Sequence, residues 1–135
     1  IVPTPIQISP SSGTKFYNYP RRFTMRWRRV KRATYEVEVD CFNCREVGKW
    51  DSEVGPPHRI TGITNTSTSF TFWGDNKGRW RVRALRNGTY SRWSPWWYFS
   101  FKTSIDNYAD SQGIVRPIMP DLIVSNIRLV RDCNI

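Results

Sequence analysis

Apolar and polar residues alternate with a period of two along three stretches of the chain. These are Phe23-Thr24-Met25-Arg26-Trp27-Arg28, Tyr35-Glu36-Val37-Glu38-Val39-Asp40 and Trp80-Arg81-Val82-Arg83-Ala84. In an extended backbone successive side chains point to opposite faces. The pattern therefore predicts strands with one buried and one solvated face. Residues 58–63, 69–73 and 97–102 are further strand candidates, and no stretch carries a helical period. Turn-forming words separate the runs: Ser11-Ser12-Gly13, Gly55-Pro56-Pro57, Asp75-Asn76-Lys77-Gly78 and Asn87-Gly88. Short strands at this spacing imply an antiparallel sandwich or barrel.

Residues 5–104 resemble a fibronectin type III domain. The resemblance rests on Trp27 in the second strand and Tyr35-Glu36-Val37-Glu38-Val39 in the third. It continues through Thr68-Ser69-Phe70-Thr71-Phe72 into Arg79-Trp80-Arg81-Val82-Arg83-Ala84, with Trp80 where that fold's sixth strand usually has Tyr. The fold class it implies is all-β, a seven-stranded antiparallel sandwich, here with a C-terminal extension strand. The third and sixth strands are neighbours in that topology. An acidic row of Glu36, Glu38 and Asp40 would then lie beside a basic row of Arg79, Arg81 and Arg83 on the outer face, each cross-strand pair contributing roughly 0.2–1 kcal/mol.

Trp93-Ser94-Pro95-Trp96 is similar to the Trp-Ser repeat before the last strand of cytokine-receptor fibronectin domains, although Trp97 stands where the second Ser would be. The resemblance implies a ladder in which Trp93 and Trp96 interleave with Arg79, Arg81 and Arg83. A guanidinium over an indole face gains about 0.5–2 kcal/mol. A structural ladder is the preferred reading; an aromatic and basic platform for a sugar or another anion is its rival.

Composition adds partners and removes chemistry. Seven Trp, six Tyr and seven Phe suit a large aromatic core or interface. Lys and Arg number 21 against 11 Asp and Glu, a net charge of +10 that favours anionic partners, reduced where arginines pair locally. No nucleic-acid-binding motif accompanies Arg26, Arg28, Arg29, Lys31 and Arg32, so nucleic acid is not an expected partner. No apolar stretch reaches the ~20 residues of a membrane helix, so no membrane insertion is expected. His58 is the only histidine, beside Pro57 and Arg59, with no carboxylate or thiol close in sequence. No phosphate loop, nucleophile elbow or paired metal motif is present, so neither catalysis nor a cofactor or metal is expected.

Cys41, Cys44 and Cys133 read as disulfide candidates, either Cys41 with Cys44 or one of them with Cys133. Asn65 and Asn87 open glycosylation-type triplets. The chain opens on Ile1, from which a processed or trimmed product is expected.

The expected division is a sandwich with an N-terminal arm over 1–104, a linker over 105–120 and an extension strand over 121–135. In that strand Ile123, Ile127 and Leu129 share one face, and Leu122, Val124 and Val130 share the other. A strand apolar on both faces needs a partner on each side. Its opening words, Pro120-Asp121-Leu122-Ile123-Val124, resemble the start of cell-adhesion-type bacterial and archaeal sandwich domains. The alternatives are a second β domain or a donor strand that adds to the next subunit, with Cys133 locking the join. The donor strand is preferred. The expected function is a non-catalytic extracellular or cell-surface structural protein that joins copies of itself, or other surface proteins, into a filament or assembly. The alternative is a glycan- or protein-binding accessory module of a larger secreted or surface protein.

Overall fold

The structure, a computed structural model, describes residues 1–103. The expected linker over 105–120, Cys133 and the extension strand with Leu122, Ile123, Val124, Ile127, Leu129 and Val130 lie outside the described residues.

The chain forms β1 (Gln7–Ser9), β2 (Thr14–Phe16), β3 (Arg22–Trp27), β4 (Thr34–Cys41), β5 (His58–Ile63), β6 (Ser67–Thr71), β7 (Lys77–Arg86), β8 (Thr89–Tyr90) and β9 (Trp97–Phe101). One 3-10 turn, Asp51–Glu53, lies between β4 and β5. The smaller sheet runs β1-β3-β6; the larger runs β2-β9-β7-β4-β5, with β8 hydrogen-bonded to β7. The architecture is the expected all-β sandwich.

Two details enlarge the seven-strand plan. The first strand is divided between the sheets. β1 pairs antiparallel with β3, whereas β2 pairs parallel with β9, Thr14 opposite Phe99 and Phe16 opposite Phe101. Pro10 has no N–H to continue the first ladder, and Gly13, at φ 97°, supplies the left-handed turn between them. The second addition is β8, turned back on β7 through Asn87 and Gly88 at φ 50° and 75°. That backbone hand suits the right-handed twist of a tight hairpin, and Asn-Gly adopts it readily.

The buried faces follow the alternation. Phe23, Met25 and Trp27 of β3 meet Tyr35, Val37 and Val39 of β4, Trp80, Val82 and Ala84 of β7, and Phe99 and Phe101 of β9. Trp27 packs against Tyr35 and Trp80, with ring centroids 5.3 and 6.5 Å apart. Phe16, Phe23, Phe72, Phe99 and Phe101 close the other end, Phe23 and Phe99 at 4.7 Å. Gly78 permits this approach: a Cβ there would stand 2.5 Å from the Phe99 ring and 2.8 Å from that of Phe72.

Candidate functional site

The outer face of the larger sheet carries the most unusual chemistry. Its base is the β4–β7 register, which sets Glu36 opposite Arg83, Glu38 opposite Arg81 and Asp40 opposite Arg79. Glu36 Oε1 accepts from Arg83 Nε at 3.0 Å and Nη2 at 2.8 Å, and Glu36 Oε2 accepts from the Tyr90 hydroxyl at 3.2 Å. Glu38 Oε1 accepts from Arg81 Nε at 2.9 Å, and its Oε2 from Arg59 Nε and Nη2 at 3.0 and 2.6 Å. Asp40 Oδ2 accepts from Arg79 Nε at 3.0 Å and Ser52 Oγ at 2.6 Å. Its Oδ1 accepts from the backbone N–H groups of Cys41 and Ser52.

The acidic row is not solvated, contrary to the expectation for an outward strand face. Glu36 is 7%, Glu38 1% and Asp40 0% exposed. The cover comes from residues distant in the chain. Arg79 Cζ lies 4.1 Å from the centroid of Trp50 and 4.4 Å from that of Trp96. Arg81 lies 4.2 Å from Trp96 and 4.7 Å from Trp93. Arg83 lies 4.5 Å from Trp93 and 3.7 Å from Tyr90. The order is thus Trp50, Arg79, Trp96, Arg81, Trp93, Arg83, Tyr90, with the carboxylates beneath. Each buried charge has a bonded partner of opposite sign, which is the condition for keeping ions out of water. The hydrogen bonds to Glu38 raise the pKa of Arg59 above its ordinary value.

Sequence reasoning named Arg79, Arg81, Arg83, Trp93 and Trp96 for this site, and the structure brings all five together. It missed Trp50, Tyr90 and Arg59. Tyr90 had a readable signal, because aromatic residues recur every third position at 90, 93 and 96. Serines recur at the same interval. Ser91 and Ser94 each bond β7 twice: Ser91 N donates to Ala84 O and Ser94 N to Val82 O, both at 2.8 Å. In return their hydroxyls accept from the N–H groups of Ala84 (2.8 Å) and Val82 (2.9 Å). Every third residue of this segment therefore meets every second residue of β7, which lets each indole fall between two arginines.

Trp50 has no such local signal. It is brought to the stack by the connection after β4, where the sulfurs of Cys41 and Cys44 are bonded. Phe42 bridges to Trp50, and the Asn43 N–H donates to Lys49 O at 2.9 Å. Ser52, in the following 3-10 turn, accepts from Arg79 Nη2 at 3.1 Å. The lone histidine, His58, is exposed at the start of β5 and packs against Phe70, centroids 5.0 Å apart. Asn65 and Asn87 are both exposed, after β5 and in the β7–β8 turn. Among the described residues no helix is long and apolar enough to cross a membrane.

No family model matches the chain, and no curated protein is similar enough to match it. Among solved structures, an Fn3-like protein from Clostridium thermocellum is similar with a TM-score of 0.52 at 19% identity, covering 75% of this chain and 94% of that one. The FN5 domain of Drosophila Lar is similar with a TM-score of 0.52 at 11% identity, covering 75% and 97%. At such identities the likeness is one of fold. The sandwich of β1-β3-β6 against β2-β9-β7-β4-β5 is a fibronectin type III-like fold.

Proposed function

We propose that this chain is a non-catalytic structural module of a secreted or cell-surface protein, joined to its neighbours in a filament or surface assembly through residues 121–135. The observation that carries the structural reading is the occupation of the arginine row. Each of Arg79, Arg81 and Arg83 has a buried carboxylate on one side and aromatic rings on the other. A guanidinium held in both ways braces the sheet and presents few free donors to a ligand. The fold fits a non-catalytic module within a larger protein. A Cys41–Cys44 bond supports an oxidising compartment.

Trp96→Ala tests the bracing role. It removes the contacts to Arg79 and Arg81, together about 1–4 kcal/mol. The melting temperature should fall by roughly 4–8 °C for each kcal/mol lost. An unchanged melting temperature with lost binding to a glycan or protein would reverse the assignment. Electron microscopy of the pure chain tests the assembly: filaments support joining through 121–135, and monomers support a module carried within a larger protein.

A further inference from the structure

The ladder accounts for few of the cations. Of those left over, one dense group lies in the connection between β3 and β4 and beside it. Arg26, Arg28, Arg29, Lys31 and Arg32 fall within seven consecutive positions, and all five are exposed. Among the described residues none of the five has a carboxylate partner. The described carboxylates are placed elsewhere: Glu36, Glu38 and Asp40 under the ladder, Glu46, Asp51 and Glu53 between β4 and β5, and Asp75 before β7.

The connection is also held in one shape. Val30 is buried, and its N–H donates to the Tyr35 hydroxyl at 2.7 Å, which donates back to Val30 O at 3.2 Å. The Ala33 N–H donates to the same carbonyl at 3.2 Å, and the Arg28 N–H to Ile6 O at 2.8 Å. From β7, Arg86 donates to Lys31 O at 3.0 Å and Ile1 O at 3.1 Å, adding a sixth cation. Arg32 takes the left-handed conformation at φ 57°, which turns the chain sharply just after Lys31. A loop ordered before binding loses less entropy when a ligand arrives.

We infer that this group of cations binds an anionic polysaccharide, through the sulfate esters or uronic-acid carboxylates spaced along its chain. Guanidinium forks match both groups bidentately, and neighbouring cations add by releasing counterions from a polyanion. Nucleic acid carries the same charge but is held on single strands by stacking of bases on exposed aromatics. The aromatics here, Trp27 and Tyr35, are 1% and 0% exposed. The inference is independent of how residues 121–135 are used.

The test is binding of the full chain to dextran sulfate, alginate, neutral dextran and both single-stranded and duplex DNA, titrated at several salt concentrations. The first two polymers separate sulfate from carboxylate recognition. Arg28→Gln, Arg29→Gln, Lys31→Gln and Arg32→Gln together should weaken the better anionic glycan at least ~10-fold and flatten its salt dependence. A control lowers net charge equally with Lys15→Gln, Lys49→Gln, Lys77→Gln and Lys102→Gln, and should change affinity less than ~2-fold. If the fourfold loop variant melts early, Arg28→Gln with Arg29→Gln, two exposed side chains, gives the same reading at smaller amplitude. Equal losses in loop and control variants would overturn the inference. So would binding of neutral dextran as strong as that of the anionic glycans, or a loop-dependent preference for DNA over both.

Discussion

At Glu38 one carboxylate serves two arginines, Arg59 from β5 on one side and Arg81 from β7 on the other. Their worth should differ sharply. Glu38 is 1% exposed, so removing it leaves the Arg81 donors beneath the indoles without a carboxylate. Glu38→Ala should cost about 3–5 kcal/mol, the range for breaking a buried ion pair from one side. Arg59 has a side chain 46% exposed, and Arg81 remains on Glu38 in its absence. Arg59→Ala should therefore cost about 0–1 kcal/mol, as exposed pairs do. Chemical denaturation of the two variants checks the contrast, and equal losses would mean the carboxylate is not sealed as described. The pairing of Glu38 with Arg81 was expected from the strand pattern, but the burial of the carboxylate and the arrival of Arg59 were not. Alternation shows that Glu38 points away from the core. Only the arrival of Trp93, Trp96 and Arg59 from other segments shows that this direction is also closed.

Among the elements, the segment between β8 and β9 behaves as a strand without being one. It satisfies β7 through Ser91 and Ser94 in place of a regular ladder. Ser94→Ala leaves the Val82 N–H buried and without that hydroxyl, a loss of about 1–3 kcal/mol. Ser94→Thr keeps the hydroxyl acceptor there, with one added methyl group, and should lose less. Thermal melts of both separate a hydrogen-bonding role from simple packing, because a packing role predicts equal losses. The major strands were legible because β3 and β7 bury alternate residues and β4 alternates apolar residues with acidic ones, and a period of two survives any context that keeps one face in the core. The division of the first strand into β1 and β2 was not legible. It depends on which sheet each half meets after Pro10, a property of the partners and not of the half-strands. Trp50 was hidden for a similar reason, since 29 residues separate it from Arg79 and only the assembled sheet brings them together.

For the whole molecule, the described core draws on residues from Val2 to Phe101. A chain ending at Ser104 should then fold with the full near-ultraviolet signature of its packed tryptophans. If residues 121–135 join neighbours as proposed, the shortened chain elutes as a monomer while the full chain forms oligomers. Filaments from the shortened chain would place the join in the sandwich itself. Two groups of cations among the described residues are used differently. One set of arginines is neutralised over Glu36, Glu38 and Asp40, and the other stands unpaired by described carboxylates around 26–32. The net charge of +10 counts both groups alike and shows no such distinction.

The meshing of a three-residue repeat with a two-residue one has an evolutionary reading. Tyr90, Trp93 and Trp96 work as teeth against Arg79, Arg81 and Arg83. Exchange of Tyr for Trp at a tooth leaves the gear engaged. A single inserted or deleted residue between 90 and 96 throws every later tooth out of step. Drift in this segment is therefore constrained in length more than in composition. Relatives that share the stack would be recognised by intervals between aromatics long after their identities have diverged.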